Sequence, residues 1–311
     1  MSERPFPRRA VLRLGALSLA SLLMPDTPFQ PARAEAALLT RPIPSTGEPL
    51  PAVGLGTWQS FDVAGDAAAV EEARETLRAL VAAGGRVVDS SPMYGSAEAV
   101  AGQLVQELGL RERIFVATKV WTEGRNAGRA QMDASMKKLR VERLDLMQVH
   151  NLVDAGTHLQ TLREWKAAGR VRYVGVTHYH AGAHAALETL VRSGEVQFVQ
   201  VNYSLEEPEA ERRLLPAAAD SRVAVIVNRP FAEGSMFRRV KGKPLPAFAA
   251  ELGCATWAQY FLKWILGHPA VTCAIPGTRN PKHLADNLAA ARGPVPDAAA
   301  RKRMAEHFAS L

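Results

Sequence analysis

Short runs of apolar, often β-branched residues alternate along the chain with longer stretches in which apolar residues recur at helical spacing. Residues 86–90 and 114–120 are two such runs, and residues 97–108 between them have the period of an amphipathic helix. Near-continuous apolar runs are typical of parallel strands that are covered on both faces. The predicted strands are residues 54–58, 86–90, 114–120, 144–150, 171–177, 196–202, 223–230 and 271–277.

A helix is predicted between each strand and the next, and another follows the last strand. The predicted helices are residues 66–83, 97–108, 126–138, 157–168, 182–193, 208–219, 246–266 and 281–291. Eight strand–helix units without a break in composition predict an α/β fold with a single (β/α)8 TIM barrel over residues 35–311. A doubly wound open sheet is the alternative, because spacing alone does not close a sheet.

The first 34 residues differ from the rest of the chain. An arginine pair at 8–9 precedes an apolar run at 10–24, and a small-residue segment follows at 32–34. These are the three parts of an export signal, and the arginine pair is typical of the twin-arginine route. We therefore expect a signal peptide over residues 1–34 that is cleaved after Ala34, recognition by the twin-arginine export machinery, and a periplasmic or otherwise exported protein. An amphipathic first helix or an uncleaved anchor is the alternative. The apolar run is shorter than the ~20 residues of a membrane span, so no stable span is expected in the mature chain.

Composition narrows the function classes. With 47% hydrophobic and 22% charged residues, the chain is typical of a globular protein. Of the net charge of +7, residues 1–34 carry +3 from five arginines and two acidic residues, which leaves +4 for the rest. No compact basic run with interleaved aromatic residues occurs, so we expect no nucleic-acid partner. Cys254 and Cys273 lack the spacing of a metal or redox site, and we expect buried thiols and no metal.

Four titratable side chains lie at or just after the ends of three consecutive predicted strands: Asp89, Tyr94, Lys119 and His150. Each alone has an ordinary structural explanation, but the carboxyl ends of barrel strands converge on one mouth. Reduction of a carbonyl needs such a set, because an arriving hydride builds negative charge on the oxygen and a donor must supply a proton. We expect Tyr94 to be that acid, with its pKa lowered by the Lys119 ammonium. Asp89 would hold Lys119, and a neutral His150 would orient the carbonyl oxygen.

Four segments together resemble the aldo-keto reductase family: residues 54–58, 88–95, 116–119 and 144–150. The resemblance extends in order over residues 54–290. It implies a (β/α)8 barrel, a nicotinamide cofactor bound without a Rossmann domain, and an Asp/Tyr/Lys/His catalytic tetrad. By position, these roles fall on Asp89, Tyr94, Lys119 and His150.

The resemblance also implies which residues hold the nicotinamide. Thr177 and His178 stand where the family usually has a Ser-Asn pair on the nicotinamide carboxamide, and Gln200 matches its usual Gln. Asn228, followed by Arg229, occupies the place of an aromatic residue that commonly stacks on the nicotinamide ring. The cofactor would therefore need another surface there or accept looser packing.

The segment at 275–280 resembles the adenosine-phosphate segment of the family, and the helix start at Pro281 offers main-chain N–H groups to an anion. Arg279 and Lys282 would pair with a 2′-phosphate, which favours NADPH, with NADH as the alternative. The expected cofactor-binding residues are Gly56, Thr57, Asp89, Thr177, His178, Gln200, Asn228, Arg229, Gly277, Thr278, Arg279, His283, Asp286 and Asn287.

Trp58 and Trp121 follow the first and third strands and are expected to wall an apolar pocket for a small aldehyde or ketone. The loop from Phe231 to Lys243 is expected to close over the cofactor. Two other functions stay open on the residues alone. Lys119 could form a Schiff base, as in aldolases, or the barrel could be a non-catalytic sensor that binds a nicotinamide cofactor.

Overall fold

The computed structural model describes residues 37–311, which form an antiparallel hairpin and a curled sheet of eight parallel strands. The order of the eight strands in the sheet follows the chain, so every strand pairs with the one before it and the one after it. The hairpin strands are β1 (Thr40–Pro42) and β2 (Pro49–Pro51); the parallel strands are β3 (Leu55–Gly56), β4 (Val87–Asp89), β5 (Phe115–Val120), β6 (Leu144–His150), β7 (Val171–Thr177), β8 (Phe198–Asn202), β9 (Ala224–Asn228) and β10 (Val271–Ala274).

The first and last strands of the sheet meet, which closes the barrel. The N–H of Gly54 donates to the carbonyl of Ala274 at 2.8 Å, and that of Gly56 donates to Pro276 at 3.2 Å. A Cβ at Gly56 would lie 2.8 Å from the carbonyl oxygen of Ile275, so the close approach of the two strands needs a glycine at this position. The predicted parallel barrel is confirmed, and the open-sheet alternative is wrong.

Helices cover the outside of the barrel: α1 (Ala67–Ala82), α2 (Ala97–Glu107), α3 (Arg125–Leu139), α4 (Ala155–Ala167), α5 (His184–Arg192), α6 (Leu214–Asp220), α7 (Ser235–Arg239), α8 (Trp257–Leu266), α9 (Pro281–Ala289) and α10 (Ala298–Ala309). Side-chain caps set several of the starts. Asp66 accepts from the Ala69 N–H at 3.0 Å at the start of α1, and Asn280 accepts from the Lys282 N–H at 2.9 Å just before Pro281.

Two apolar cores hold the fold together. The larger one lies between the sheet and the helices, and the smaller one fills the amino-terminal half of the barrel interior. Ile43 and Leu50 of the hairpin segment are fully buried in the smaller core, beside Phe115 and Phe198. The hairpin therefore plugs the amino-terminal end of the barrel, and only the carboxyl-terminal end is left to form a mouth.

Two of the predicted helices differ from the structure. The helix expected over 246–266 begins only at Trp257, because Gly253 turns the chain with φ of 68° and Thr256 caps the new start by accepting from the Gln259 N–H. The helix expected over 208–219 is a 3₁₀ turn followed by α6. The hairpin and α10 were not predicted at all.

The segment from Phe231 to Lys243, expected as a loop, contains helix α7. The Phe231 ring packs against Phe237 with centroids 4.9 Å apart, and Phe237 packs against Phe261 of α8. Backbone strain marks its entrance, since Arg229 and Glu233 have φ of 47° and 53°. In this structure the segment is anchored to the core by these rings.

Within residues 37–311 no helix is both long enough and apolar enough to span a bilayer. The signal peptide expected over residues 1–34, with its cleavage after Ala34, lies outside the described residues.

Candidate active site

A buried ion pair lies at the centre of the carboxyl-terminal mouth. Lys119, fully buried on β5, donates from Nζ to Asp89 Oδ1 at 2.5 Å and to the Ser90 carbonyl at 2.7 Å. The parallel register of β4 and β5 aligns Asp89 with Ala117, and this register brings the two strand ends together. Both charges are removed from water, so each depends on the other for its stability.

The second oxygen of Asp89 is also occupied. Gln148 on β6 and Gln200 on β8 both donate from Nε2 to Asp89 Oδ2, at 3.1 Å and 3.0 Å. Three side chains from three strands thus hold one carboxylate. Gln200 was among the expected site residues, whereas Gln148 was missed, although it lies two positions before His150 and so on the same face of the strand.

Tyr94 lies over this pair on the loop that follows β4. Its ring centroid is 5.1 Å from Lys119 Nζ. The loop is held by Asp62, which accepts from the N–H and the hydroxyl of Ser96, both at 2.8 Å. Gly95 has φ of 59°, and a Cβ there would lie 2.3 Å from the Asp62 carboxylate, so glycine is required beside the tyrosine.

The pKa of Tyr94 is raised, contrary to the lowering expected from the sequence. Burial raises it by penalising the phenolate, and this effect outweighs the nearby Lys119 charge, which acts in the lowering direction. Burial also acts to lower the pKa of Lys119, but the Asp89 carboxylate reverses this, so that the net pKa of Lys119 is raised. The site therefore holds a protonated tyrosine beside a charged lysine.

His150, at the end of β6, completes the group on the other side of Tyr94. The two ring centroids are 6.1 Å apart and nearly perpendicular. Burial, with the positive charge of Lys119 as the next cause, lowers the pKa of His150 to about 3. Its Nδ1 is 3.1 Å from the Ser91 hydroxyl. The imidazole is therefore neutral at ordinary pH and can donate one N–H.

The residues expected around the nicotinamide form one hydrogen-bonded chain beside this group. Thr177 donates from its hydroxyl to Gln200 Oε1 at 3.2 Å, and Asn228 Nδ2 donates to the His178 carbonyl at 3.1 Å. Asn228 Oδ1 is shielded from solvent and has no hydrogen-bond partner among the described residues. Arg229 donates from Nη1 to the Tyr179 carbonyl at 2.7 Å. The structure thus brings these expected residues together, with one buried acceptor to spare.

Thr57 and Gly277 belong to the segments that follow the first and last strands of the sheet. The Thr57 hydroxyl donates to the Asp89 carbonyl at 2.9 Å, and Gly277 bridges to Gly56 across the barrel closure. Both positions therefore border the ion pair or the closing strands.

At the start of α9, two of the residues expected to bind the adenosine phosphate are already bound to other side chains. Arg279 donates from Nε to Glu72 of α1 at 3.0 Å, in an exposed pair. Asp286 accepts from Thr256 at 2.8 Å and from Gln259 at 2.6 Å, so both of its oxygens are used in joining α9 to α8. These bonds give Asp286 a packing role and lend no support to the expected cofactor contact.

The other members of this segment differ in exposure. Thr278 is buried and accepts from the Asn280 N–H at 3.0 Å, Asn287 is buried, and His283 is exposed. His283 and Lys282 therefore face solvent at the helix start.

Large apolar side chains stand exposed around the mouth, two of them tryptophans. Trp58, Met93 and Trp121 are 45%, 41% and 42% exposed, and they come from three different strand–helix loops. The Trp121 ring centroid is 6.5 Å from that of His150, which puts this indole beside the proposed donors. Trp58 and Trp121 were expected here, and Met93 was missed although it directly precedes Tyr94.

One buried acid behind the site was also missed. Glu98 of α2 accepts from the Thr118 hydroxyl at 2.6 Å, and burial raises its pKa. Thr118 directly precedes Lys119 on β5, so this bond ties the helix to the strand that carries the lysine. Among residues 37–311 no group of three or more His, Cys, Asp or Glu side chains is arranged to hold a metal ion.

The mouth of this parallel barrel combines a lysine–carboxylate pair, a protonated tyrosine and a neutral histidine, which are groups of the kind that enzymes use for proton transfer. The model of the aldo/keto reductase family matches residues 52–303. The chain therefore belongs to the aldo/keto reductase family and is an oxidoreductase, as the resemblance in its motifs implies.

Relatives and solved structures agree with this assignment. The chain is 29% identical over 249 residues to the methylglyoxal reductase YeaE of Escherichia coli K12, with 77% of this chain and 85% of that protein covered. It is 25% identical over 285 residues to the aldo-keto reductase YhdN of Bacillus subtilis, with 78% and 85% covered. An aldo/keto reductase structure from Klebsiella pneumoniae, in complex with NADP and acetate, has a TM-score of 0.72 and 27% identity, with 84% and 93% covered.

Proposed function

We propose that this protein reduces the carbonyl group of a small aldehyde or ketone to an alcohol, with NADPH as the hydride donor and Tyr94 as the acid. The observation that carries the proposal is the arrangement at the mouth: Tyr94 is protonated, stands over Lys119 and faces the neutral His150. The enzyme is NADP-dependent, and the solved Klebsiella neighbours in complex with NADP and with NADPH support this cofactor.

The residues present fit a nicotinamide cofactor. The spare acceptor at Asn228 Oδ1 suits the amide N–H of a carboxamide, and Thr177 and Gln200 lie beside it. At the other end, the helix start after Asn280 and the cation of Lys282 suit a phosphate. When bound, NADPH would supply the hydride; everything else in the reaction falls to this chain.

Tyr94 supplies the proton. As negative charge develops on the substrate oxygen, the phenol O–H is the donor at the mouth, and the Lys119 ammonium stabilises the phenolate that is left. Asp89 keeps Lys119 charged and fixed through the bond at 2.5 Å. His150 is neutral and donates an N–H to the same oxygen, which directs it toward Tyr94.

A Schiff base on Lys119 is disfavoured by the same contacts. Such a nucleophile must be a neutral amine with room for the substrate carbon. Lys119 is fully buried, its pKa is raised, and two of its three N–H donors are already bound to Asp89 and Ser90. The geometry therefore favours reduction over lyase chemistry.

The apolar rim points to the substrate class. Trp58, Met93 and Trp121 offer flat or flexible apolar surface and no charge, so an uncharged carbonyl compound suits the mouth better than a carboxylate or phosphate. Because one relative is a methylglyoxal reductase, methylglyoxal is a suitable first compound, with aromatic aldehydes and quinones beside it.

Cofactor titration followed by a substrate panel tests the proposed function. Quenching of tryptophan fluorescence is measured with NADPH and with NADH, and carbonyl compounds are then added while NADPH absorbance is followed. Saturable binding followed by oxidation that depends on the carbonyl supports the reductase. Tight binding with no oxidation by any compound would instead indicate the sensor, and no binding of either cofactor would overturn the proposal.

We also propose that the protein is exported by the twin-arginine route after it has folded, on the strength of the arginine pair at 8–9 and the apolar run that follows. Export of a folded chain would allow the cofactor to be loaded beforehand. Fractionation of cells that express the wild type and an Arg8→Lys/Arg9→Lys variant tests this. The wild type is expected outside the cytoplasm and shortened to begin at Glu35, and the variant inside; equal distribution would contradict the proposal.

A further inference from the structure

We propose that Gln148 is a positioning residue for proton transfer: it holds Asp89 so that one carboxylate oxygen stays directed at Lys119. This inference rests on the proposed reductase function. Gln148 is fully buried on β6, and the register of β5 and β6 sets it directly beside Lys119. Its side chain points into the barrel, as does that of His150 two positions later.

The division of bonds on Asp89 is the observation that carries the inference. Lys119 takes Oδ1 at 2.5 Å, whereas Gln148 and Gln200 take Oδ2 at 3.1 Å and 3.0 Å. A carboxylate with donors on one oxygen only is free to rotate about its Cβ–Cγ bond. The two amides on Oδ2 come from β6 and β8, two and four strands away from the β4 strand that carries Asp89, so they reach the carboxylate across the barrel interior and together restrain that rotation.

The amide of Gln148 is not explained by packing alone. Its Oε1 is buried and has no hydrogen-bond partner among the described residues, which is unfavourable in a barrel interior. An apolar side chain of similar volume would avoid that penalty. What the amide provides, and a leucine would not, is the N–H donated to Asp89.

A shift of Asp89 would affect Tyr94 through one connecting residue, Lys119. Lys119 Nζ donates to Asp89 and to the Ser90 carbonyl, it interacts with the Tyr94 side chain, and it lies 5.1 Å from the centroid of the Tyr94 ring. If Asp89 rotates, the ammonium moves relative to the phenol oxygen that it must stabilise. Gln148 would thus act on turnover and not on substrate contact.

Two substitutions at this position separate positioning from filling of space. Gln148→Leu fills the volume but removes the donor at every pH. Gln148→Glu restores a donor only while the introduced carboxyl is protonated, because the ionised form would repel Asp89. Gln197→Leu serves as the matched control, since Gln197 directly precedes the amino-terminal end of β8, where it accepts from Lys166 and the Val174 N–H.

The measurement is the pH profile of kcat for NADPH oxidation with one carbonyl compound, together with KM for both reactants. We expect Gln148→Leu to lower kcat about tenfold to hundredfold at every pH, with KM for NADPH within about twofold. Gln148→Glu should approach the wild type at the acidic end and fall below Gln148→Leu as the pH rises. Gln197→Leu should keep the wild-type profile.

Two results would overturn the inference. One is an unchanged kcat in Gln148→Leu; the other is an equal, pH-independent loss in both Gln148 variants that parallels a loss of thermal stability, since this is what mere packing predicts. If none of the carbonyl compounds causes the wild type to oxidise NADPH, the proposed function fails, and this inference fails with it. If the wild type is active and the Gln148→Leu variant is equally active, this inference is wrong but the proposed function stands.

Discussion

The two ends of the barrel each carry a cluster of charges, and the clusters differ in how their charges are satisfied. At the carboxyl-terminal end, one lysine and one carboxylate are buried with two amides, and the Tyr94 ring stands over them. At the amino-terminal end, Arg172 binds both Asp145, at 2.8 Å, and Glu48 of the hairpin segment.

The partners at the amino-terminal end leave little unsatisfied. Glu48 also accepts from the Tyr173 hydroxyl at 2.8 Å, and Asp145 accepts from the Val116 N–H at 2.8 Å. Burial raises the pKa of Tyr173, as it does for Tyr94, but Tyr173 already donates to a carboxylate. A raised pKa is therefore not enough to identify a tyrosine as an acid catalyst, because burial raises the pKa of both Tyr94 and Tyr173. The difference is that Tyr94 stands beside the buried Lys119 and the neutral His150, whereas the Tyr173 hydroxyl is bound to the Glu48 carboxylate.

Tyr94→Phe should have the largest effect on turnover. Removing the proton donor is expected to lower kcat by about 10²–10⁴-fold, while binding of NADPH stays within about twofold, because the ring and the loop are unchanged. Steady-state kinetics and fluorescence titration measure the two quantities. Tyr173→Phe is the control at the opposite end and should leave kcat unaltered; equal losses in both variants would erase the distinction between the two ends.

Lys119→Met should reduce stability as well as turnover. It leaves Asp89 buried without a counter-charge, which costs about 3–5 kcal/mol of unfolding free energy. Urea unfolding followed by circular dichroism gives this value. The double variant Lys119→Met/Asp89→Asn should recover a large part of the stability and none of the activity. Full stability in the single variant would mean that the pair is not held as described.

His150 should make stability depend on pH. The unfolded chain takes up a proton at His150 near pH 6.5, whereas the folded protein does so only near pH 3, the lowered value. Between these values the unfolded state binds more protons, so the unfolding free energy should rise with pH over that window and level off above it. The rise should be on the order of a few kcal/mol at most. A His150→Asn variant should flatten this part of the curve, and an unchanged slope would contradict the neutral assignment.

Glu48→Gln should act on stability alone. It breaks the Arg172 pair and weakens the bond from Tyr173, which costs about 1–3 kcal/mol of unfolding free energy for partly buried charged hydrogen bonds. Because the site is at the other end of the barrel, kcat should stay within about twofold of the wild type. A large loss of kcat at full folding would show that the two ends are coupled.

Glu72→Gln should have the smallest effect, on cofactor preference. Glu72 occupies Arg279 in an exposed pair, and its charge opposes a phosphate at that place. Removing this charge should raise the affinity for NADPH relative to NADH by about a few-fold, because single exposed charges have small effects. The gain should shrink at high salt, which screens exposed charges. Titration with both cofactors at two ionic strengths measures it. Equal gains for NADH and NADPH would place the 2′-phosphate away from Arg279.

The strands and the four central residues could be predicted because each depends on short-range pattern. An apolar run ends in a polar residue, and parallel strands place such ends together. Asp89, Lys119 and His150 follow this rule. The raised pKa of Tyr94 could not be predicted, since it is a balance between burial and a charge that only the folded distances determine.

Other differences arise where tertiary contacts outweigh local pattern. Residues 246–266 have helical periodicity, but a glycine turn and the Thr256 cap start the helix late. Asp286 looked like a cofactor ligand in its motif, and its role depends on Thr256 and Gln259, which approach only when α8 packs on α9. Gln148 was overlooked because a lone glutamine in an apolar strand carries no signal until its partner is known.

The most direct test of the account is the fate of the hydride. NADPH deuterated at the transferred position is incubated with the enzyme and a carbonyl compound, and the alcohol is analysed by mass spectrometry, with borohydride trapping of the protein run in parallel. The account predicts one deuterium on the carbinol carbon, loss of this product in Tyr94→Phe, and no substrate adduct on Lys119. An alcohol without deuterium on that carbon, or a trapped adduct at Lys119, would contradict it.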